Sequence, residues 1–137
     1  MLTAEEQERL TRVGPGTPMG ELMRRYWIPV RPLAQLKEED VMPIRILGED
    51  LVLFITKNGK LGLVGERCPH RMSMMKYGIP DEDGLRCCYH GWNFAPDGQC
   101  IDMPLESPAN KLKDHVKIAS YPCLLYTSDA ADDTPCV

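Results

Sequence analysis

The stretch CPHRMSMMKYGIPDEDGLRCCYHGW, residues 68–92, carries two short clips, Cys68-Pro69-His70 and Cys87-Cys88-Tyr89-His90, separated by sixteen residues. Each clip pairs one sulfur donor with one nitrogen donor. A structural zinc site usually groups its donors by kind, two cysteines close together and two histidines close together. Mixed clips suit a dinuclear centre instead. Two facing loops can each deliver a thiolate to one metal and an imidazole to the other, which yields a Cys₂ metal and a His₂ metal. Soft thiolate with borderline imidazole is also the donor set of iron–sulfur chemistry. The candidate ligands are therefore Cys68, His70, Cys87 and His90.

Outward from this stretch the apolar period is that of strands. IRIL (44–47), LVLFIT (51–56) and LGLV (61–64) precede it, and GLRC (84–87), WNFA (92–95), QCID (99–102) and VKIASY (116–121) overlap or follow it. Gly48-Glu49-Asp50, Asn58-Gly59 and Pro96-Asp97-Gly98 read as turns, with Asn58-Gly59 expected as a type I′ hairpin, and residues 106–114 form a polar run between strands. The expected fold is mainly β, a small antiparallel sandwich or barrel over residues 31–122 with two metal-binding loops. A helical lead-in is expected over residues 1–30. Thr3 and Glu6 form a capping-box pattern for a first helix ending before Gly14-Pro15. Thr17 and Pro18 open a second that runs through Leu22 and Met23 towards Tyr26 and ends towards Pro29. Leu22, Met23 and Tyr26 stand at helical spacing and are read as core packing.

A chain of 137 residues with 43% hydrophobic composition has room for one compact domain. Its 16 basic and 20 acidic residues, net charge −4, are scattered, so no nucleic-acid footprint is present. The amphipathic start MLTAEEQERL lacks a signal-peptide pattern and no apolar run reaches membrane-spanning length, so a cytoplasmic protein with no membrane partner is expected. Six irregularly spaced cysteines without a signal peptide favour metal binding over a disulfide scaffold. From Cys123 the chain reads CLLYTSDAADDTPCV and drops the strand pattern. Residues Cys123 to Asp132 resemble an in-frame translation of a transposase adapter used in sequencing libraries. Residues 123–137 are accordingly expected to be a non-native tail.

The clips resemble the Rieske motif, Cys-x-His followed by Cys-x-x-His at about this separation. The flanking CPHR, Gly-Leu-Arg and YHGWNFAPDGQC, and the lead-in TRVGPGTPMGELMRRYWIPV (11–30), are similar to the N-terminal domain of aromatic-ring-hydroxylating oxygenase α subunits, especially the phthalate-dioxygenase-like group. The resemblance covers roughly residues 1–122. It implies a Rieske-type β fold holding a [2Fe–2S] cluster, with Cys68 and Cys87 on the inner iron and His70 and His90 on the outer one. It implies one-electron transfer from a reductase or ferredoxin to a mononuclear non-haem Fe(II), in the catalytic domain of the same or a neighbouring subunit of a homotrimer. That iron takes two histidines and a carboxylate. The chain has three histidines, two of them committed to the cluster, so this fragment is expected to carry no catalytic residues and to be inactive alone. The alternative is a stand-alone Rieske-type ferredoxin.

Departures from related groups are also informative. Rieske proteins of the cytochrome complexes resemble one another in a disulfide joining the two loops, and Ser73 and Tyr89 stand at those positions here. Cys88 is read as a small buried filler without a ligand role, Cys100 likewise, and His115 as a surface residue. High-potential Rieske centres carry a hydrogen-bonding serine where this chain has Trp92. An indole there is expected to pack beside the loop, which implies a potential nearer to about −150 mV than about +300 mV.

Overall fold

The computed structural model describes residues 1–125. The later part of the adapter-like tail, residues 126–137 with Cys136, lies outside the described residues. Eight strands form two four-stranded antiparallel sheets. The first has the order β1 (Val41–Ile46), β2 (Glu49–Ile55), β3 (Leu61–Gly65), β8 (Ser120–Tyr121). The second is the meander β4 (Ile79–Pro80), β5 (Leu85–Arg86), β6 (Asn93–Phe94), β7 (Cys100–Asp102). The small antiparallel β architecture expected from the strand period is present.

The uninterrupted apolar run LVLF in β2 follows from burial on both faces. Val52 and Phe54 point inward, to a core shared with Val64, Leu85, Phe94 and Met75. Leu51 and Leu53 are buried in a second cluster with Leu63, their neighbour on β3, and Leu36. Such burial stabilises by roughly 1.5–3 kcal/mol per large aliphatic side chain. Leu36 comes from helix α3 (Leu33–Glu38), which sequence reasoning did not anticipate, its six residues being too few for a helical period to show.

Two hairpins differ from expectation in instructive ways. The first turn is Leu47-Gly48, with φ of 49° and 77°, so Glu49 and Asp50 belong to β2. Those paired positive φ values are the primed geometry that matches strand twist. At Asn58-Gly59, by contrast, only Gly59 has positive φ (81°), and its amide donates to the Thr56 carbonyl at 2.9 Å. Asn58 stays at negative φ because its amide donates to Glu82 and its side chain reaches Asp83 across the sheets. Gly98 has φ of 85° as the turn residue between β6 and β7, and a side chain there would run into the Ile118 carbonyl.

The lead-in contains helices α1 (Ala4–Thr11) and α2 (Pro18–Met23). The capping box is formed, with the Thr3 amide 2.8 Å from the Glu6 carboxylate and the Glu6 amide 3.2 Å from the Thr3 hydroxyl. Thr17 caps α2 through the Gly20 amide. The apolar stripe behaves otherwise than expected: Leu22, Met23 and Tyr26 are exposed, Tyr26 at 67%. α2 is too short to present a continuous face, and Gly20 alone is buried, against the Val13 and Gly14 backbone. The lead-in is tied down by Arg24 instead. Its guanidinium donates to the carbonyls of Val13 and Leu47 and to the carboxylate of Glu49, which also accepts from the Tyr121 hydroxyl. Tyr26 and Trp27 line a cleft of about 1010 Å³ floored by Leu51, Leu53, Leu61 and Leu63. Among the described residues no helix is long and apolar enough to cross a membrane.

Candidate metal centre

β3 leads through Arg67 into the first clip, and β5 leads directly into the second. Both clips fold into the same six-residue loop. In the first, the Cys68 amide donates to the Ser73 carbonyl at 2.8 Å and the Met72 amide donates back to the Cys68 carbonyl at 2.8 Å. In the second, the Cys87 amide donates to Trp92 at 2.8 Å and the Gly91 amide to Cys87 at 3.1 Å. The fifth residue of each loop is left-handed, Met72 at φ 61° and Gly91 at φ 76°. This repeat was not visible in the sequence, because histidine stands third in one loop and fourth in the other, and Met72 occupies the position where Gly91 advertises the turn. A side chain at residue 91 would press on Pro104 at 2.9 Å.

The loops bring the four expected ligands together as two pairs. Cys68 and Cys87 are buried, at 1% and 3% exposure, with their thiols as neighbours. Burial, chiefly, pushes the Cys68 thiol up to about 11, and the neighbouring Cys87 adds to this, while the backbone amides of His70 and Arg71 act in the opposite direction. Such thiols become thiolates when a cation supplies the missing charge. His70 and His90 meet edge to face, ring centroids 4.6 Å apart. Burial, then His90 and Arg71, holds the His70 imidazole below its ordinary value, which favours the neutral form that binds metals. The His90 Nδ1 atom is buried without a hydrogen-bond partner. A buried, unsatisfied ring nitrogen is costly unless something binds it, and a metal ion is a partner of the right chemistry. Among the described residues no three Cys, His, Asp or Glu side chains converge on a single ion. Donors arranged two by two fit a dinuclear cluster.

Around the pairs, Trp92 is buried at 8% exposure and lies flat on His70, centroids 4.2 Å apart at 10°. The expected packing role is what the structure shows. Tyr89 lies against His90 at 3.8 Å. Cys100 is buried and His115 exposed, both as expected. Cys88 is a correction: it is exposed, with its sulfur 4.0 Å from the Ser73 hydroxyl. Cys88 stands past the end of β5, in the turn of the loop, and its side chain faces out while that of Cys87 is buried.

The residues that sequence reasoning missed stand just before each loop. Arg86 donates to Asp81 (Nε 3.1 Å, Nη2 2.6 Å), to Asp102 (2.8 Å) and to the Gly91 carbonyl (2.7 Å). Arg67 donates to the Met72 carbonyl at 3.2 Å. The available signal was an arginine immediately before each ligand-bearing cysteine.

Comparison with known proteins agrees with this geometry. The Rieske [2Fe-2S] domain family matches residues 26–122. The 5,5'-dehydrodivanillate O-demethylase oxygenase subunit of Sphingobium sp. (strain NBRC 103272 / SYK-6) is 48% identical over 125 residues, 89% of this chain and 30% of that protein. The phthalate 4,5-dioxygenase oxygenase subunit of Pseudomonas putida is 43% identical over 123 residues, 88% of this chain and 28% of that protein. The crystal structure of dicamba monooxygenase superposes with a TM-score of 0.54 at 29% identity, covering 64% of this chain and 27% of that one. The chain thus spans less than a third of the length of these relatives. With the match running across both loops and the sheets that carry them, the chain belongs to the Rieske [2Fe-2S] domain family.

Proposed function

We propose that Cys68 and Cys87 hold one iron of a [2Fe–2S] cluster and His70 and His90 the other, within the electron-input part of an aromatic-ring-hydroxylating oxygenase subunit. The observation that carries this reading is the sorting of donors, two buried neighbouring thiols and two touching imidazoles, one with an unpartnered buried nitrogen. When bound, the cluster supplies one-electron transfer from a reductase or ferredoxin to a mononuclear non-haem iron, in the same or a neighbouring subunit of a homotrimer. The protein's own part is to hold both thiols away from water, to keep His70 neutral and oriented against Trp92, and to leave the imidazole pair nearer the surface than the sulfurs.

The names of the relatives, oxygenase subunits, favour this over a stand-alone ferredoxin. His115, the remaining histidine, is exposed on the 3₁₀ turn Leu112–His115, and one histidine does not supply the two that such a catalytic iron takes. A division into lead-in (1–30) and cluster domain (31–122) rests on the same reading, with α1 and α2 in the first part and both sheets in the second. So does a low potential, since Trp92 stacks on His70 where a hydroxyl donor would raise it.

Anaerobic reconstitution with iron and sulfide tests the proposal. The chain is expected to take up two irons and two acid-labile sulfides. Cys68→Ser and Cys87→Ser abolish this uptake, whereas Cys88→Ala and Cys100→Ala retain it. Stoichiometric zinc without labile sulfide, or a cluster that survives Cys87→Ser, overturns the assignment.

A further inference from the structure

The two loops share more than their backbone hydrogen bonds. Each ligand-bearing cysteine is preceded by an arginine, and each arginine donates to the carbonyl of the fifth residue of the loop that follows it. Arg86 Nη1 reaches Gly91 at 2.7 Å and Arg67 Nη1 reaches Met72 at 3.2 Å. In both loops that fifth residue is the left-handed one, whose amide already closes the loop onto the cysteine carbonyl. Among the described residues no backbone amide donates to its carbonyl in either loop. The guanidinium supplies a donor from the strand side, so each loop is held at its stem by the peptide pair and beside it by a side chain. Ligating side chains stand between: His70 in one loop, His90 in the other.

The two arginines are anchored unequally. Arg86 is fixed by Asp81 and Asp102, themselves on the β4–β5 loop and on β7, and Asn93 steadies Asp81 in turn. Arg67 is half exposed and has the neighbouring Glu66, 3.6 Å away, as its carboxylate partner. A planar fork with five donors can serve two carboxylates and a carbonyl at once, whereas a lysine ammonium is a single point on a flexible stem.

We propose that Arg67 and Arg86 are matched positioning residues that fix the two ligand loops, Arg86 being the rigid member and Arg67 the looser one. The proposal rests on the assignment of Cys68, His70, Cys87 and His90 as ligands. The competing role is that of Arg86 as an ion pair that only stabilises the second sheet; Arg67 makes the same bond to its loop with the adjacent Glu66 as its carboxylate partner.

The test uses Arg67→Lys and Arg86→Lys in the full chain with two readouts. In the metal-free chain, hydrogen exchange is followed at the amides that close the loops. Arg86→Lys is expected to speed exchange at Cys87 and Gly91 and leave Cys68, Met72 and β2 unchanged; Arg67→Lys does the reverse, to a smaller degree. In the reconstituted chain, the chelator concentration that removes half the iron falls by about tenfold or more for Arg86→Lys, and by less for Arg67→Lys. Equal acceleration across both loops and β2 overturns the proposal in favour of a merely stabilising ion pair. Wild-type exchange and iron retention in both variants overturns it as well. If Arg86→Lys does not fold, the exposed Arg67→Lys still decides: an unchanged first loop refutes the matched pair. Cys68→Ser and Cys87→Ser run alongside; a cluster that survives them refutes the ligand assignment, while cluster loss in them with unaltered lysine variants refutes the arginine role alone.

Discussion

Trp92 closes the second loop with its carbonyl, which accepts from Cys87, and braces the first with its ring, which lies on His70. Truncation to alanine removes a buried indole and leaves His70 without its stacking surface. We expect Trp92→Ala to lower the stability of the metal-free chain by about 3–5 kcal/mol, read from urea unfolding, because the contacts of a buried indole are lost and a cavity is left. A loss below about 1 kcal/mol would show that the ring is dispensable for packing. That the four candidate donors would lie on neighbouring loops was legible from residue types and spacing, and the packing role of Trp92 from the family resemblance. The exposure of Cys88 was not, since free cysteine is usually buried and only the direction of the loop backbone turns this one outward. Leu22, Met23 and Tyr26 misled for a related reason: helical spacing defines a face but does not say whether anything covers it.

Among the elements, the β4–β5 connection does more than join two short strands. Asp81 accepts from Arg86 and from the Glu82 amide, and these hydrogen bonds, Arg86 first, hold its carboxyl below the ordinary carboxylate range. A group whose folded pKa is depressed stabilises fully above its unfolded value of about 3.9, and that contribution is lost as pH falls through the folded value. Urea midpoints of the metal-free chain should therefore decline on acidification below about pH 4. Asp81→Asn should be less stable at neutral pH, with a shallower acid limb. Identical acid limbs for the two proteins would refute the assignment. Sequence period located the strands β1, β2, β3, β5, β6, β7 and β8 to within a few residues, because alternation or a continuous apolar run marks each. β4 is two residues containing a proline, and α3 is under two turns, so neither leaves a periodic trace. The hairpin at Asn58-Gly59 adopts another turn because Asn58 is recruited across the sheets, a tertiary contact that local propensity does not contain.

At the scale of the molecule, the first sheet buries apolar side chains in two clusters, and one of these includes Cys68 and Cys87, so core packing and candidate metal donors are contiguous. The chain's two tryptophans fall in very different places within that arrangement. Trp27 is 63% exposed in the apolar cleft, and Trp92 is buried against a candidate ligand. This separation gives the protein two optical reporters. Trp92 should emit to the blue and lose its emission when a coloured iron–sulfur chromophore is loaded beside it. Trp27, wetted by solvent, should emit to the red and respond to whatever enters the cleft. A Trp27→Phe chain whose remaining fluorescence survives cluster loading undiminished would contradict the placement of Trp92. With that signal intact, assembly of the centre can be followed in real time by ultraviolet emission, without an added label.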